Sequence, residues 1–214
     1  MEKITLQRVI PAVFSQHPPT DSDIWDRTVT FSKGKNYLLE AASGKGKTSF
    51  CSYLHGSRAD YAGHILFDEK DVARISPDTW GEIRRASLGI LFQGLRLFPE
   101  LTALENVQLK NRLTRFQADE WIEEAFARLG IADKISAPVA KISFGQQQRV
   151  ALIRGLCQPL DFLLLDEPVS HLDEENSRRA GQLLLEEAAR QGFGIIATSI
   201  GKHVDLPYHE ILHL

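Results

Sequence analysis

Three short stretches hold side chains whose type and spacing suit chemistry. In Ala41-Ala-Ser-Gly-Lys-Gly-Lys47-Thr48, glycines let the backbone curl until successive N–H groups face one anion, and a helix starting behind them adds its dipole. Lys47 would reach the outer phosphates of a nucleotide, and the Thr48 hydroxyl would ligate Mg²⁺. Ser43, Gly44, Lys45, Gly46 and Ser49 complete such a cradle, although Ala41 stands where the usual pattern of these loops has a glycine. The second stretch is Phe162-Leu-Leu-Leu-Asp166-Glu167-Pro168. Asp166 would hold Mg²⁺, directly or through water, and Glu167 would polarise an attacking water. Two carboxylates alone would equally suit the cap of a following helix; the phosphate loop makes the chemical reading the better one. The third is Ile142-Ser-Phe-Gly-Gln-Gln-Gln-Arg149, where Ser143 suits a helix N-cap and the glutamines by themselves suggest only a solvated helix start.

The elements that must position these residues follow from periodicity. Alternation over Ile4, Leu6 and Val9 predicts a strand, and short strands are expected at Thr28–Phe31 and Asn36–Glu40 around an SKGK turn. A helix should run from Thr48 to about Gly56. His64–Phe67, Leu88–Phe92, Phe162–Leu165, Gly194–Ala197 and Glu210–Leu214 supply further strands, the run before Asp166 being apolar enough to be buried on both faces. From Phe116, Ala118, Trp121, Ile122, Ala125, Phe126 and Leu129 keep helical spacing. Asp173 can cap a helix that ends near Gly192. Strands first and last, with a mostly helical stretch from about Leu95 to Ala140, imply an α/β core with a helical insertion.

Composition bounds the rest. At 214 residues, 43% apolar and 25% charged, the chain is long enough for one domain with a sizeable core. A net charge of −3 gives no electrostatic reason to expect nucleic acid. No apolar run is long enough to span a membrane, and Lys3, Gln7 and Arg8 break the N-terminal apolar residues, so no secretory signal is expected. Cys51 and Cys157 suggest buried packing on helices rather than a disulfide scaffold or metal cluster, and the seven histidines lack metal-ligand spacing. The chain reads as soluble and intracellular.

With ISFGQ in place, the sequence resembles the ATP-binding subunits of ABC transporters over nearly its whole length. Their signature usually reads LSGGQ, so Phe144 replaces a glycine. Gln93 in LFQG resembles the family's Q-loop glutamine, and Ser170-His-Leu-Asp173 its D-loop. The motifs keep the family's order, with gaps of 46 from Lys47 to Gln93, 50 to Ser143, 23 to Asp166 and 7 to Asp173. The resemblance implies one domain over residues 1–214 with a P-loop NTPase core of the ABC ATPase type, an antiparallel β subdomain and a helical subdomain. The ATP-binding core would cover about 1–93 and 141–214, and the helical subdomain about 94–140.

Ligands, partners and roles follow from the same likeness. ATP and Mg²⁺ are the implied ligands, with Thr48, Gln93 and Asp166 at the metal and Glu167 and Gln93 at the attacking water. Two cassettes, either copies of this chain or one with a paralogous partner, would pack head to tail. Ser143, Gly145, Gln146 and Asp173 of one would then face the nucleotide of the other. Adenine would stack on an aromatic residue upstream of the loop: Phe14, or alternatively Trp25. Ser199 stands where the family usually has a histidine on the γ-phosphate; it can donate one hydrogen bond but carries no charge, so turnover should be slowed by about 10²–10³-fold. His203 is the substitute to test, although a surface role is the commoner explanation.

The stretch from Ile83 to Val107 most resembles cassettes of lipoprotein-releasing, macrolide-exporting and cell-division systems. That implies integral membrane permease subunits as partners and a cytoplasmic place on the inner face of the cell membrane. Leu97, Phe98 and Leu101 lie where such cassettes receive a helix of the membrane subunit, or else pack the helical subdomain internally. Arg84 and Arg85 read as a solvated face. The rival functions are a nucleotide-gated clamp with weak or no hydrolysis, favoured by Ser199 and Phe144, and a soluble ABC protein acting on DNA or ribosomes. For the second the chain is too short.

Overall fold

The computed structural model describes residues 1–17, 19–42 and 44–214. A parallel sheet forms its centre, built from Asn36–Glu40 (β3), Leu88–Leu91 (β6), Phe162–Asp166 (β7), Gly194–Ser199 (β8) and Glu210–His213 (β9) in the spatial order β6-β7-β8-β3-β9. Strands β7 and β8 are buried at every residue, as continuous apolar runs in a parallel sheet should be. Their side chains alternate between two cores. Leu38, Leu163, Leu165, Ile195 and Ala197 face one cluster; Tyr37, Leu39, Phe162, Leu164 and Ile196 face the other.

The second cluster is closed by an antiparallel sheet of Lys3–Pro11 (β1), Thr28–Ser32 (β2), Tyr61–Phe67 (β4) and Lys70–Asp71 (β5), ordered β2-β1-β4-β5. Between the two sheets lies the helix Lys47–Leu54 (α1), burying Phe50, Cys51, Tyr53 and Leu54. Helices Ala103–Asn111 (α3), Asp119–Arg128 (α4), Phe144–Gly155 (α5) and Glu174–Gln191 (α6) cover the other face. The helical stretch is thus joined to the sheet through one apolar cluster containing Val107, Phe126, Val150 and Leu163.

Several expectations needed correction. Strand β4 begins at Tyr61, three residues ahead of the anticipated start, because it pairs with β1 on both sides of a register shift between Gln7 and Ile10. At that irregularity Arg8 is left-handed (φ 51°), and a Cβ on Gly63 would lie 2.3 Å from the Arg8 carbonyl oxygen, so the turn needs glycine. Helix Pro77–Ala86 (α2) was not anticipated. Its signal was local, Ser76 capping Thr79 N–H with proline in the first turn, and no fully buried residue marks a face. Helix α4 starts at Asp119 rather than Phe116, whose ring instead carries the Arg190 guanidinium, centred 5.2 Å away. Cys157 sits just beyond α5 rather than on a helix, buried as expected, and burial pushes its thiol up to about 12.

Candidate functional site

The loop between β3 and α1 turns on Gly44 (φ 81°) and Gly46 (φ 98°), both left-handed, which delivers Lys47 to the first turn of α1. A Cβ on Gly46 would stand 3.1 Å from the Trp25 ring and 3.3 Å from the Phe14 ring. Trp25 is buried and its indole N–H donates to the Lys45 carbonyl at 3.2 Å. It is therefore the wall behind the loop, while half-buried Phe14 lines the cleft in front. Of the two aromatic candidates, Phe14 is the accessible one. Ser43 lies outside the described residues.

The cleft, about 390 Å³, is lined by Phe14, Gly44, Gly46, Lys47, Thr48 and Ser49 from the loop side and by Gln93 and Glu167 from the sheet. Lys47 Nζ donates to the carbonyls of Ala41 (2.9 Å) and Ala42 (3.0 Å) and lies 3.8 Å from Glu167 Oε1. Burial lowers the Lys47 pKa, against the pull of the Glu167 and Asp166 carboxylates. Glu167 follows β7 in a left-handed conformation (φ 52°), and its Oε2 accepts from Gln93 Nε2 at 3.3 Å. A non-glycine residue at positive φ costs about 1–2 kcal/mol, so surrounding bonds must impose it. Here Gln148 Nε2 donates to the Glu167 carbonyl at 3.1 Å and the Glu167 N–H donates to Thr198 Oγ1 at 3.3 Å.

Asp166 is buried, and its Oδ1 accepts from the Thr198 hydroxyl at 2.9 Å. Burial raises its pKa, opposed by hydrogen bonds from Thr198 and Thr48, by Lys47 and by the Gln93 backbone N–H. The Thr48 hydroxyl and the Asp166 carboxylate thus meet. Sequence reasoning missed Thr198, Gln148 and Arg154. Thr198 is opposite Asp166 only through the β7–β8 register. Arg154 donates to the carbonyls of Leu95 (2.5 Å) and Arg96 (2.6 Å), pinning the loop that follows Gln93 to the end of α5.

The remaining predicted residues are not brought into this cleft. Ser143 and Gln146 close a reciprocal capping box at the start of α5, and Gly145 lies under the His171 carbonyl, where a Cβ would approach to 2.9 Å. Phe144 stands exposed beside them, its ring 4.5 Å from that of His171. Asp173 caps α6 through Asn176 N–H at 2.8 Å. Ser199 is wholly buried and its hydroxyl donates to the Lys202 carbonyl at 2.8 Å. His203 is exposed beside Tyr208, among residues that include Asp173 rather than Lys47.

A glycine-turned loop at the end of a parallel strand, facing a carboxylate pair and a glutamine, suits the phosphates of a nucleotide. Comparison with known proteins agrees: the family model described as ABC transporter matches residues 25–170. The chain belongs to the ABC transporter family. It is one of that family's ATP-binding ATPase cassettes. It is 35% identical over 172 residues to an uncharacterized ABC transporter ATP-binding protein, YclH, of Bacillus subtilis, a match spanning 78% of this chain and 74% of that one. It is 32% identical to the lipoprotein-releasing system ATP-binding protein LolD of Myxococcus xanthus, spanning 80% and 78%. A dimeric structure of the ATP-binding cassette MJ0796 in a post-hydrolysis state with ADP and Pi shares the fold, with a TM-score of 0.74, 23% identity and coverage of 92% and 87%. No described helix of the cassette is long and apolar enough to cross a membrane.

Proposed function

We propose that this cassette binds ATP with Mg²⁺ in the cleft, dimerises on it, and hydrolyses it slowly to drive membrane subunits of an export, lipoprotein-release or mechanotransmission system. The observation that carries hydrolysis is Glu167, held beside Lys47 and Gln93 within the same cleft as the phosphate loop. Its carboxylate is the general base, and Gln93 orients the water and senses the metal. Lys47 and the N–H groups at the start of α1 take the phosphates; Phe14 takes the base.

The donors suit Mg²⁺: one buried carboxylate, Asp166, faces the Thr48 hydroxyl, both hard oxygen groups. Among the described residues no group of three or more His, Cys, Asp or Glu side chains forms a metal cage, consistent with an ion held mainly by phosphate, water and a single carboxylate. When bound, that ion neutralises phosphate charge; the protein's own task is to place water and phosphate. Ser143, Gly145 and Gln146 at the α5 N-terminus, with Asp173, are suited to a second cassette's nucleotide, whether a second copy or a paralogue, since a helix N-terminus favours an anion.

A separate groove of about 340 Å³ supports the membrane partner. Phe98 and Leu109 are exposed at its mouth over Phe92 and Ile90. Leu97 packs partly into the core instead, and Leu101 does not line the groove. A groove with exposed apolar side chains among the cations Arg84, Lys110 and Arg154 suits an amphipathic helix, which would place the cassette on the cytoplasmic face of the membrane.

The second reading is a clamp that binds ATP and dimerises without turnover. It is favoured by Ser199, which offers the cleft neither a charge nor a free hydroxyl. Single-turnover hydrolysis of Mg-ATP by the parent and by Glu167→Gln separates the two readings. Cleavage lost in the variant makes Glu167 the base. Binding without cleavage by the parent makes the chain a clamp, and no binding by the parent refutes both.

A further inference from the structure

The nucleotide cleft has a second cation that no motif predicts. Arg58 lies in the turn between α1 and β4, yet it lines the same cleft as Phe14, Ser49 and Lys47. Its guanidinium is immobilised on three sides. Nε and Nη2 form a fork with the Asp60 carboxylate at 2.9 and 2.5 Å, Nη1 donates to Ser49 Oγ at 2.9 Å, and the plane sits 5.3 Å from the centre of the Tyr53 ring. A guanidinium has five N–H groups; these bonds use three, so two have no partner among the described residues.

The backbone fixes which end of the cleft this is. The Ala12 N–H donates to the Asp60 carbonyl at 2.9 Å, and Pro11 pairs with Tyr61, so the Arg58–Asp60 turn lies against the segment carrying Phe14. Glu167 and Gln93 stand with Lys47 at the other end. Ser49, which Arg58 holds, is the third residue of α1, in the first turn whose N–H groups lack a partner within the helix. A phosphate chain running along that turn from Lys47 toward Phe14 brings its innermost phosphate to Ser49.

Resting on the nucleotide-binding reading of this cleft, we propose that Arg58 contacts the nucleoside end of the bound nucleotide, bonding the innermost phosphate and its ribose oxygen through its two remaining N–H groups. Asp60 acts as a positioning residue that keeps the fork in plane. Such a contact is made equally before and during reaction, so it strengthens binding without changing the chemical step. It also selects nucleotides over inorganic polyphosphate, which has no nucleoside end to place there.

The test is the affinity of the full chain for ATP, ADP and inorganic tripolyphosphate, each by calorimetry, for the parent, Arg58→Met, Arg58→Lys and Asp60→Asn. Methionine keeps the stem over Tyr53 and removes the fork. The expected result is about tenfold weaker binding of ATP and ADP by Arg58→Met, with a clearly smaller loss for tripolyphosphate, which keeps the phosphate contact but has no ribose oxygen. Arg58→Lys should recover only part, and Asp60→Asn should lose less, in the same direction. Equal ATP affinity in parent and Arg58→Met overturns the proposal. So does an equal loss for tripolyphosphate, which would leave Arg58 no part in placing the nucleoside end. A parent that binds no nucleotide overturns the underlying reading together with this one.

Discussion

Replacing Gly46 with alanine should damage both stability and nucleotide binding, by an amount the structure allows to be estimated. Gly46 has φ 98° and ψ 13°, a conformation in which an L-residue costs about 1–2 kcal/mol. The new Cβ would also sit 3.1 Å from Trp25 and 3.3 Å from Phe14. Trp25 cannot yield: it is buried, bonded to the Lys45 carbonyl, and packed edge-on with ring centroids 6.2 Å from Phe50 and 6.5 Å from Tyr53. Phe14 is half-buried and can turn aside, but it then leaves the position proposed for the base. Backbone strain and crowding together come to roughly 2 kcal/mol, which for a chain of this length lowers the melting temperature by about 4–8 °C. Gly44→Ala is the control. It shares the positive φ (81°), yet nothing lies within 4 Å of its Cβ position, so only the backbone cost applies. Thermal melts with and without ATP measure both effects, since a ligand at a hundred times its Kd adds about 2.7 kcal/mol. Gly46→Ala should melt lower than Gly44→Ala and lose most of the ATP-induced rise. If it melts within a degree of the parent and keeps the same rise, the wall of Trp25 and Phe14 does not confine the loop.

Other perturbations have equally definite outcomes. Ser199→Ala removes a hydroxyl spent on the Lys202 carbonyl, so it should cost about 1 kcal/mol of stability and alter cleavage by less than about threefold. A hundredfold loss in single turnover would instead put that hydroxyl on a phosphate. His55 is held at about 4 by burial and by the Arg84 and Lys110 charges. Its folded pKa lies below its unfolded value near 6.5, so the unfolded chain takes up the proton first and stability falls as pH drops through that window. The loss should be roughly 2 kcal/mol between pH 7 and pH 5, read by urea unfolding, and His55→Gln should abolish that portion. Glu187 is buried and accepts from Trp121 (3.0 Å), Arg190 (2.6 Å) and Gln191 (3.1 Å). Glu187→Ala strands these donors and should cost about 3 kcal/mol or more in equilibrium unfolding.

Much of the site was legible in the sequence because its parts are local. A loop that must curl around an anion needs glycine within a few residues of a lysine, and Gly44, Gly46 and Lys47 show that whatever the rest of the chain does. The carboxylates at the end of an apolar run, the caps Ser143 and Asp173, and the order of the motifs are equally short-range. The alternating core was readable too, since β7 must be apolar on both faces if it is to sit between two layers. Helix α2 escaped because its inward face is only the partly buried pair Trp80 and Ile83, too short a pattern to mark a period.

Only the tertiary structure decided which of these residues meet. Thr198 reaches Asp166 through a parallel register between strands 32 residues apart in sequence; hydrophobicity alone does not set that pairing. Two of the aromatic residues before the loop were candidates for the base, and packing alone buried Trp25 and left Phe14 in the cleft. Arg58 joined the cleft because the pairing of Pro11 with Tyr61 and the Ala12 bond to the Asp60 carbonyl laid its turn against Phe14. Ser199 turned inward because β8 ends inside the core, where an unbonded hydroxyl is costly and a carbonyl was near. Chemistry requiring one segment is written in the sequence; chemistry requiring two waits on how the layers pack, because packing depends on the fit of the whole core.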